Sequence, residues 1–496
     1  MMDQIPLLSL LLLAPLVAAA LVWLWPLEQG ARVLALVAAG LELILAATVV
    51  GAFDPANPGF QQVERGPWIP TLNIQFLVGI DGISVLFLPL TALLFAGVIV
   101  ASWNGTRVLP RLYFSLLLLQ MAATIGVFCA LDTLLFFLFW ELSLVPLYFL
   151  VSLWGVGPKR RFAAAKYTLI MLGSGVPLLL AFVVLAFNHA NFIGAALPAG
   201  LAFDLPTLLA TPVSAKLQAI VFVLLLLGFA AKAPIFPLHS WLPGVALEGP
   251  VAVGALFVGL KLGVYGLIRY AVPLAPIAAR ELHWLLAGLG TVGLLVGAVA
   301  ALAQTNLRRA LAYAGLSHVG LVMLGIASFS VQGLQGAVMQ TLNFTLAAGG
   351  LFLLTAALHR RTGSTDILSL GGAVATMPRL AGFFLLFALT SIGVPGTSGF
   401  PAELLLLTAA LTSHTGAGLA ALFGVVIGAA YTLGMVRGAF FGPLTNPAVA
   451  EASDLLRGEF ALAIAFALVI LGAGLFPALV LELIAPAAQA WVARGG

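Results

Sequence analysis

The chain consists almost wholly of apolar runs about as long as a bilayer-crossing helix, and three of them each enclose a lone ionisable residue: Glu141, Lys232 and Lys261. In hydrocarbon every backbone N–H and C=O must be satisfied within the protein, so runs of this length have to form helices packed as a bundle. A charged side chain at the centre of such a helix costs about 2.5–3.5 kcal/mol on insertion scales, and one that is kept is a candidate functional group turned to the interior. Lys261 has apolar residues and glycine on both sides, too far from a helix end to snorkel to the surface.

With 62% hydrophobic and 8% charged residues, nothing is left over for a soluble domain. The longest intervals between runs, around 54–80 and 188–214, are rich in Pro, Gly and Asn and read as loops too short to bury a core. A net charge of +4 would point to nucleic acid in a soluble chain. Here the basic residues lie between spans, so no nucleic-acid partner is expected and the charge belongs to topology. The single Cys129 excludes an internal disulfide and any cysteine-ligated metal or iron–sulfur site. Glycine-rich phosphate loops, H-E-x-x-H and G-x-S-x-G are absent too, so no cofactor, metal or catalytic residue is expected in this chain. The N-terminus has no basic stretch before its apolar run and carries Asp3, which reads as a retained helix, not a cleaved signal.

Hydropathy gives about 14 spans, near 5–26, 31–53, 82–103, 112–131, 133–155, 163–187, 216–243, 249–272, 283–304, 308–328, 333–358, 376–411, 416–441 and 459–485. An even count puts both termini on one side. Basic residues collect in the odd-numbered loops, among them Arg107, Arg111, Lys159, Arg160, Arg161, Arg308, Arg309, Arg360 and Arg361. The even loops hold only Arg65, Lys216, Arg269 and Arg280, so the odd loops read as cytoplasmic. For a bacterial source this is a multi-pass inner-membrane protein with both termini periplasmic.

Two spans carry helix breakers that a plain lipid-facing helix would avoid. The seventh contains Pro234 and Pro237, and the twelfth contains Gly393, Pro395, Gly396, Gly399 and Pro401. Both should be broken helices beside a polar interior. Each has one charge at its break, Lys232 before the first and Glu403 after the second, and Glu141 and His318 recur at a similar separation. Matching interruptions in two halves point to inverted repeats around a midplane ion site. The expected fold is therefore an all-α polytopic membrane protein with two inverted five-helix repeats, each with a broken helix. Residues 1–111 would hold the first three helices, 112–272 and 273–441 the two repeats, and 442–496 the last helix.

A carboxyl group at Glu141 must either pair with a buried cation or stay protonated, and both states suit a proton relay. A buried lysine whose charge depends on a neighbour is a switch, so Glu141 and Lys232 are expected to form an ion pair whose opening passes a proton towards Lys261. His318 relays protons near neutral pH with little adjustment, although a lone histidine can equally be hydrogen-bonded core. Glu403 reads as the terminal acid. His239 lies beside the first break and is either structural or part of a water-lined path. Glu42 and Glu482, outside the repeats, read as packing or lipid-interface residues.

Six stretches carry a resemblance: DGIS at 81–84, FFLFWELSLVPLYFLVSLWG at 136–155, GFAAKAPIFPLHSWLP at 228–243, GLKLGVYGLIRY at 259–270, NLRRALAYAGLSHVGLVMLG at 306–325 and GVPGTSGFPAELLLL at 393–407. Together they closely resemble the antiporter-like subunits of respiratory complex I, over nearly the whole chain. The chain is most similar to the chain M type of NADH:quinone oxidoreductase, which has glutamate at the place of Glu403 where the L and N types and the multi-subunit sodium/proton antiporters typically have lysine. The resemblance implies that Glu141 and Lys232 are a coupling ion pair, Lys261 the central relay lysine and His318 part of the onward path. It also implies a proton-translocating subunit that binds neither NADH nor quinone and has neighbouring antiporter-like and other membrane-arm subunits as partners, besides the lipid bilayer. A sodium/proton antiporter subunit and a subunit of a hydrogenase- or carbon-uptake-linked complex are the alternatives.

The chain departs from that pattern twice. Gly244 and Ala246 stand where family members commonly have an acid and a histidine, and Phe344 stands where a relay histidine is usual. Phenylalanine carries no proton, so the path from His318 to Glu403 would need waters or the local polar side chains Thr341, Asn343 and Thr345.

Overall fold

A computed structural model describes residues 6–25, 28–106 and 108–494. Asp3, Arg107 and the edge residues 5 and 26 of the first expected span lie outside the described residues. All 14 expected spans are helical, and among the described residues twelve helices are long and apolar enough to cross a membrane. The other two spans are a 16-residue third helix and the twelfth, which is split.

Helices α1 (Leu7–Leu24), α2 (Glu28–Gly51), α3 (Phe87–Ser102) and α4 (Pro110–Cys129) pack on one another ahead of the charged spans. Between α2 and α3 the expected loop is instead an antiparallel hairpin, β1 (Gln61–Ile69) and β2 (Ile74–Ile80). Its β2 strand, IQFLVGI, is apolar and buried towards its end, and the Leu131 amide donates to the Leu77 carbonyl (2.9 Å), fixing the hairpin to the end of α4.

The fifth span bends at Ser143 between α5 (Thr133–Leu142) and α6 (Leu144–Trp154), because Pro146 offers no amide to the Leu142 carbonyl. Asp132 caps α5, its carboxylate accepting from the Leu134 (2.9 Å) and Leu135 (3.1 Å) amides. The long α7 (Arg160–Ile193) follows, then the short α8 (Leu205–Ala210) in the second expected loop, and α9 (Ala215–Lys232), which packs closely on α7 where Gly228 meets Leu178. As expected, α9 stops at its charge. The chain resumes as α10 (Leu242–Glu248), with Pro234 and Pro237 in the gap and the Lys166 ammonium of α7 donating to the Ser240 carbonyl (2.9 Å).

The eighth span also breaks, which its sequence does not announce. It runs as α11 (Gly254–Gly259), an interruption at Leu260 and Lys261, α12 (Leu262–Gly266), a π turn over Leu267–Ala271 and α13 (Val272–Leu274), with α14 (Pro276–Glu281) beyond. Arg269, expected in a loop, is buried inside this span. It pairs with Asp81 of the DGIS motif, and its Nε donates to the Tyr265 hydroxyl (3.1 Å).

In the second half, α15 (His283–Leu302) and α16 (Leu307–Ala327) approach backbone to backbone at Gly290, Gly297 and Gly320. Then come α17 (Val331–Asn343), a π turn at Phe344–Ala348, and α18 (Gly349–Thr362). The twelfth span divides into α19 (Pro378–Ser391) and α20 (Gly399–Ser413) around Pro395 and Gly396. Helix α21 (Thr415–Phe440) and the short α22 (Pro447–Ala450) lead to α23 (Arg457–Leu475). The last expected span ends earlier than its hydropathy does, because Pro477 disfavours helix at Phe476. A separate α24 (Ala478–Arg494) follows, its Trp491 Nε1 donating to the Ile268 carbonyl (2.8 Å).

Candidate functional site

The five expected relay residues, a row in chain order, lie on five spans: Glu141 and Lys232 act on each other electrostatically, and Lys261 is joined through Phe344 to His318, which shares a cavity with Glu403. Glu141 is the penultimate residue of α5, and its carboxylate lies against α7 at Gly175, where a methyl group would overlap one oxygen. Neither oxygen has a hydrogen-bond partner among the described residues. Lys232, the last residue of α9, feels the Glu141 charge but does not touch it. Its ammonium donates to the Trp140 carbonyl (2.8 Å) and the Ser143 hydroxyl (2.9 Å), 3.9 Å above the Trp140 ring centroid. The expected ion pair is not made in this structure; the cation is held instead by the bend of the fifth span. The end of α9 favours a cation, because the unpaired carbonyls there give it partial negative charge.

Lys261 sits in the interruption of the eighth span and is 2% exposed, so it does not face lipid. Its Nζ has no hydrogen-bond partner among the described residues and lies against α16 at Gly315 and 5.3 Å from the Phe344 ring centroid. His318 is one turn beyond Gly315 on the same helix, its ring centroid 5.6 Å from that of Phe344. On its other side His318 shares a small cavity with Glu403, Ser391 and Tyr431. Glu403 packs against Gly393, whose positive φ of 64° and missing side chain make the space for the carboxylate.

The supporting residues divide. The Thr341 hydroxyl is committed to the Ala337 carbonyl of its own helix (2.7 Å), whereas the Asn343 amide oxygen accepts from the Ser398 hydroxyl in the second break (2.7 Å). His239 lies in the first break, stacked on Phe236 (5.6 Å) and edge-on to Tyr313 (6.4 Å), apart from the row of charges. Glu42 is fully buried and not at a lipid interface, while Glu482 is exposed on α24. Sequence reasoning did not single out Ser143, Gly175, Gly315 or Tyr431 as parts of the site. Small residues and a single tyrosine have many ordinary uses in packed helices, and only the fold brings these beside the charges.

The family described as NADH:quinone oxidoreductase/Mrp antiporter, transmembrane part, matches residues 130–428, the stretch that contains every charge of the row. The chain belongs to this family. It is 37% identical over 488 residues to NAD(P)H-quinone oxidoreductase chain 4 1 of Synechococcus sp. (strain JA-3-3Ab), covering 96% of this chain and 91% of that one. It is 34% identical over 492 residues to NADH-quinone oxidoreductase subunit M of Rhodobacter capsulatus, covering 97% and 95%. Among solved structures, a chain of respiratory complex I from Thermus thermophilus with bound NADH superposes with a TM-score of 0.89 at 31% identity, over 99% of this chain and 100% of that one. The Mrp complex from Dietzia sp. DQ12-45-1b shares the fold, with a TM-score of 0.84 at 24% identity over 98% and 97%.

Proposed function

We propose that this chain is a proton-translocating, antiporter-like subunit of the chain M type in the membrane arm of an NADH–quinone oxidoreductase, with other membrane-arm subunits beside it. The observation that carries the reading is the row of ionisable side chains from Glu141 through Lys232, Lys261 and His318 to Glu403, enclosed in a membrane bundle and lying at helix interruptions in four of five cases. Relatives named as quinone oxidoreductase chains at 34–37% identity over nearly the whole chain support this assignment over a cation antiporter. The chain itself binds neither NADH nor quinone. Its place is the inner membrane, with both termini periplasmic.

In this reading 112–272 and 273–441 are inverted repeats, the first broken in the seventh and eighth spans and the second in the twelfth. Energy arrives from partner subunits as a change in the field along the row. Closing a pair of unit charges to 4 Å at an effective dielectric near 20 releases about 4 kcal/mol, and moving a proton against 100 mV requires about 2.3 kcal/mol. Opening the Glu141–Lys232 pair withdraws stabilisation of that size from the lysine's ammonium, which is enough to drive its proton towards Lys261. The test is Glu141→Ala or Lys261→Ala in the complete complex, reconstituted into vesicles. Each variant should lose most of its proton uptake per electron pair, and undiminished pumping in either removes that residue from the mechanism.

A further inference from the structure

Three consecutive residues, Asn343, Phe344 and Thr345, touch the broken eighth and twelfth spans and lie beside Lys261 and His318. The Thr345 hydroxyl donates to the Gly259 carbonyl (3.1 Å), the last residue of α11 before the Lys261 interruption. The Asn343 amide oxygen accepts from Ser398 in the break between α19 and α20. Between them the Phe344 ring lies beside both Lys261 and His318. All three belong to the junction of α17 with its π turn, a one-residue insertion in the helix of a kind that concentrates at functional sites.

We propose that this tripeptide couples the broken eighth and twelfth spans and that Phe344 is a dry gate between Lys261 and His318. This rests on the relay described above. The step it controls breaks an N–H bond of the Lys261 ammonium and forms one on the His318 imidazole, leaving a neutral amine and an imidazolium. A phenyl ring has no group that donates or accepts the proton, and it fills space that a bridging water would need. Its face also attracts the ammonium and not the neutral amine, so the ring holds the proton on Lys261 while it stays in place. Thr345 and Asn343 tie the gate to the two breaks, so a shift of the backbone at either one moves the ring. Transfer then follows a conformational signal and does not occur spontaneously.

The experiment compares F344H, F344Y, T345V and K261A in the complete complex in vesicles, reading passive proton leak without electron transfer and protons moved per electron pair. F344H installs a donor and acceptor in the gate and should leak at least about tenfold more than the wild type, as expected where a relay group replaces an apolar one. T345V, which unties the ring from the Lys261 break, should lower the proton-to-electron ratio. F344Y keeps the ring but adds a hydroxyl that donates and accepts, so its leak should lie between those of the wild type and F344H. A wild-type leak in F344H, or a wild-type ratio in T345V, overturns the gate while loss of pumping in K261A still upholds the relay. Full pumping in K261A overturns the relay and the gate with it.

Discussion

Replacing Ser143 by alanine should weaken the hold on the Lys232 cation without disturbing the fold. The hydroxyl accepts from the ammonium at 2.9 Å and itself donates to the Trp140 carbonyl at 2.8 Å, in a position 1% exposed. A hydrogen bond to a charged group contributes about 1.5–3 kcal/mol, so the protonated lysine is bound about ten- to a hundredfold less strongly in S143A. The Trp140 carbonyl keeps its bond from Lys232 and the indole ring stays beneath the ammonium, so no backbone acceptor is orphaned and the cost to folding does not exceed that of the lost bond, about 1.5–3 kcal/mol. Moving one charge across 100 mV is equivalent to about 2.3 kcal/mol, and S143A should therefore stall at an opposing membrane potential lower by about 65–130 mV. The assay is the limiting potential reached by the reconstituted complex under steady electron transfer, with S143T, which keeps a hydroxyl, as the comparison. If S143A and wild type reach the same limit, Lys232 is not loaded with a proton in the observed position and the reasoning fails.

Asp81→Ala removes the partner of Arg269, both side chains being 6% exposed, and a stranded buried guanidinium costs about 3–5 kcal/mol. The variant should show a lower thermal midpoint in detergent, and an unchanged midpoint would mean the pair is not structurally coupled. Gly393→Ala forces a left-handed backbone on an alanine, at about 1–2 kcal/mol, and sets a methyl group into the Glu403 carboxylate. Pumping should fall in G393A, and wild-type pumping would show that the position of Glu403 is not limiting. Gly175→Ala should displace the Glu141 carboxylate while leaving the thermal midpoint nearly unchanged, because the atom it meets is the free end of a side chain. Its proton-to-electron ratio is the reading, and a normal ratio would argue that Glu141 has room to work elsewhere.

The charges were legible because each stands against an apolar background, and the seventh and twelfth spans because proline marks a missing backbone donor. The break at Lys261 was not legible. Its neighbours are glycine and aliphatic residues, and the carbonyl freed at Gly259 is taken by Thr345, a residue 86 positions away. Arg269 looked like a loop residue because it stands near the end of an apolar run, and its true place depends on Asp81, 188 positions earlier. The hairpin at 61–80 was hidden by the Pro and Gly around it, although IQFLVGI has strand composition. The end of α23 at Pro477 was announced locally and outweighed by hydropathy. Misreadings thus fall where a partner distant in sequence, or a short local signal, competes with the average polarity of a span.

The placement of the helix breaks has a physical cause that also separates His318 from the other members of the row. An intact helix spends its carbonyls on its own amides, so a charge buried among intact helices finds no dipoles to replace water. Lys232 ends α9 and is bound by a carbonyl beside the bend of the fifth span, Glu141 lies next to that bend, Lys261 is in an interruption, and Glu403 is one turn into α20. His318 alone is in the middle of an unbroken helix, Leu307–Ala327. Imidazole is also the one group of the five whose ordinary range leaves it mostly uncharged at neutral pH, so it needs no such solvation except at the moment it carries the proton. Among these groups Lys232 is the one bound by a carbonyl beside such a bend. In the proposed relay the four groups at or beside interruptions gain and lose charge in turn, while the intact helix holds His318, which the Phe344 ring flanks.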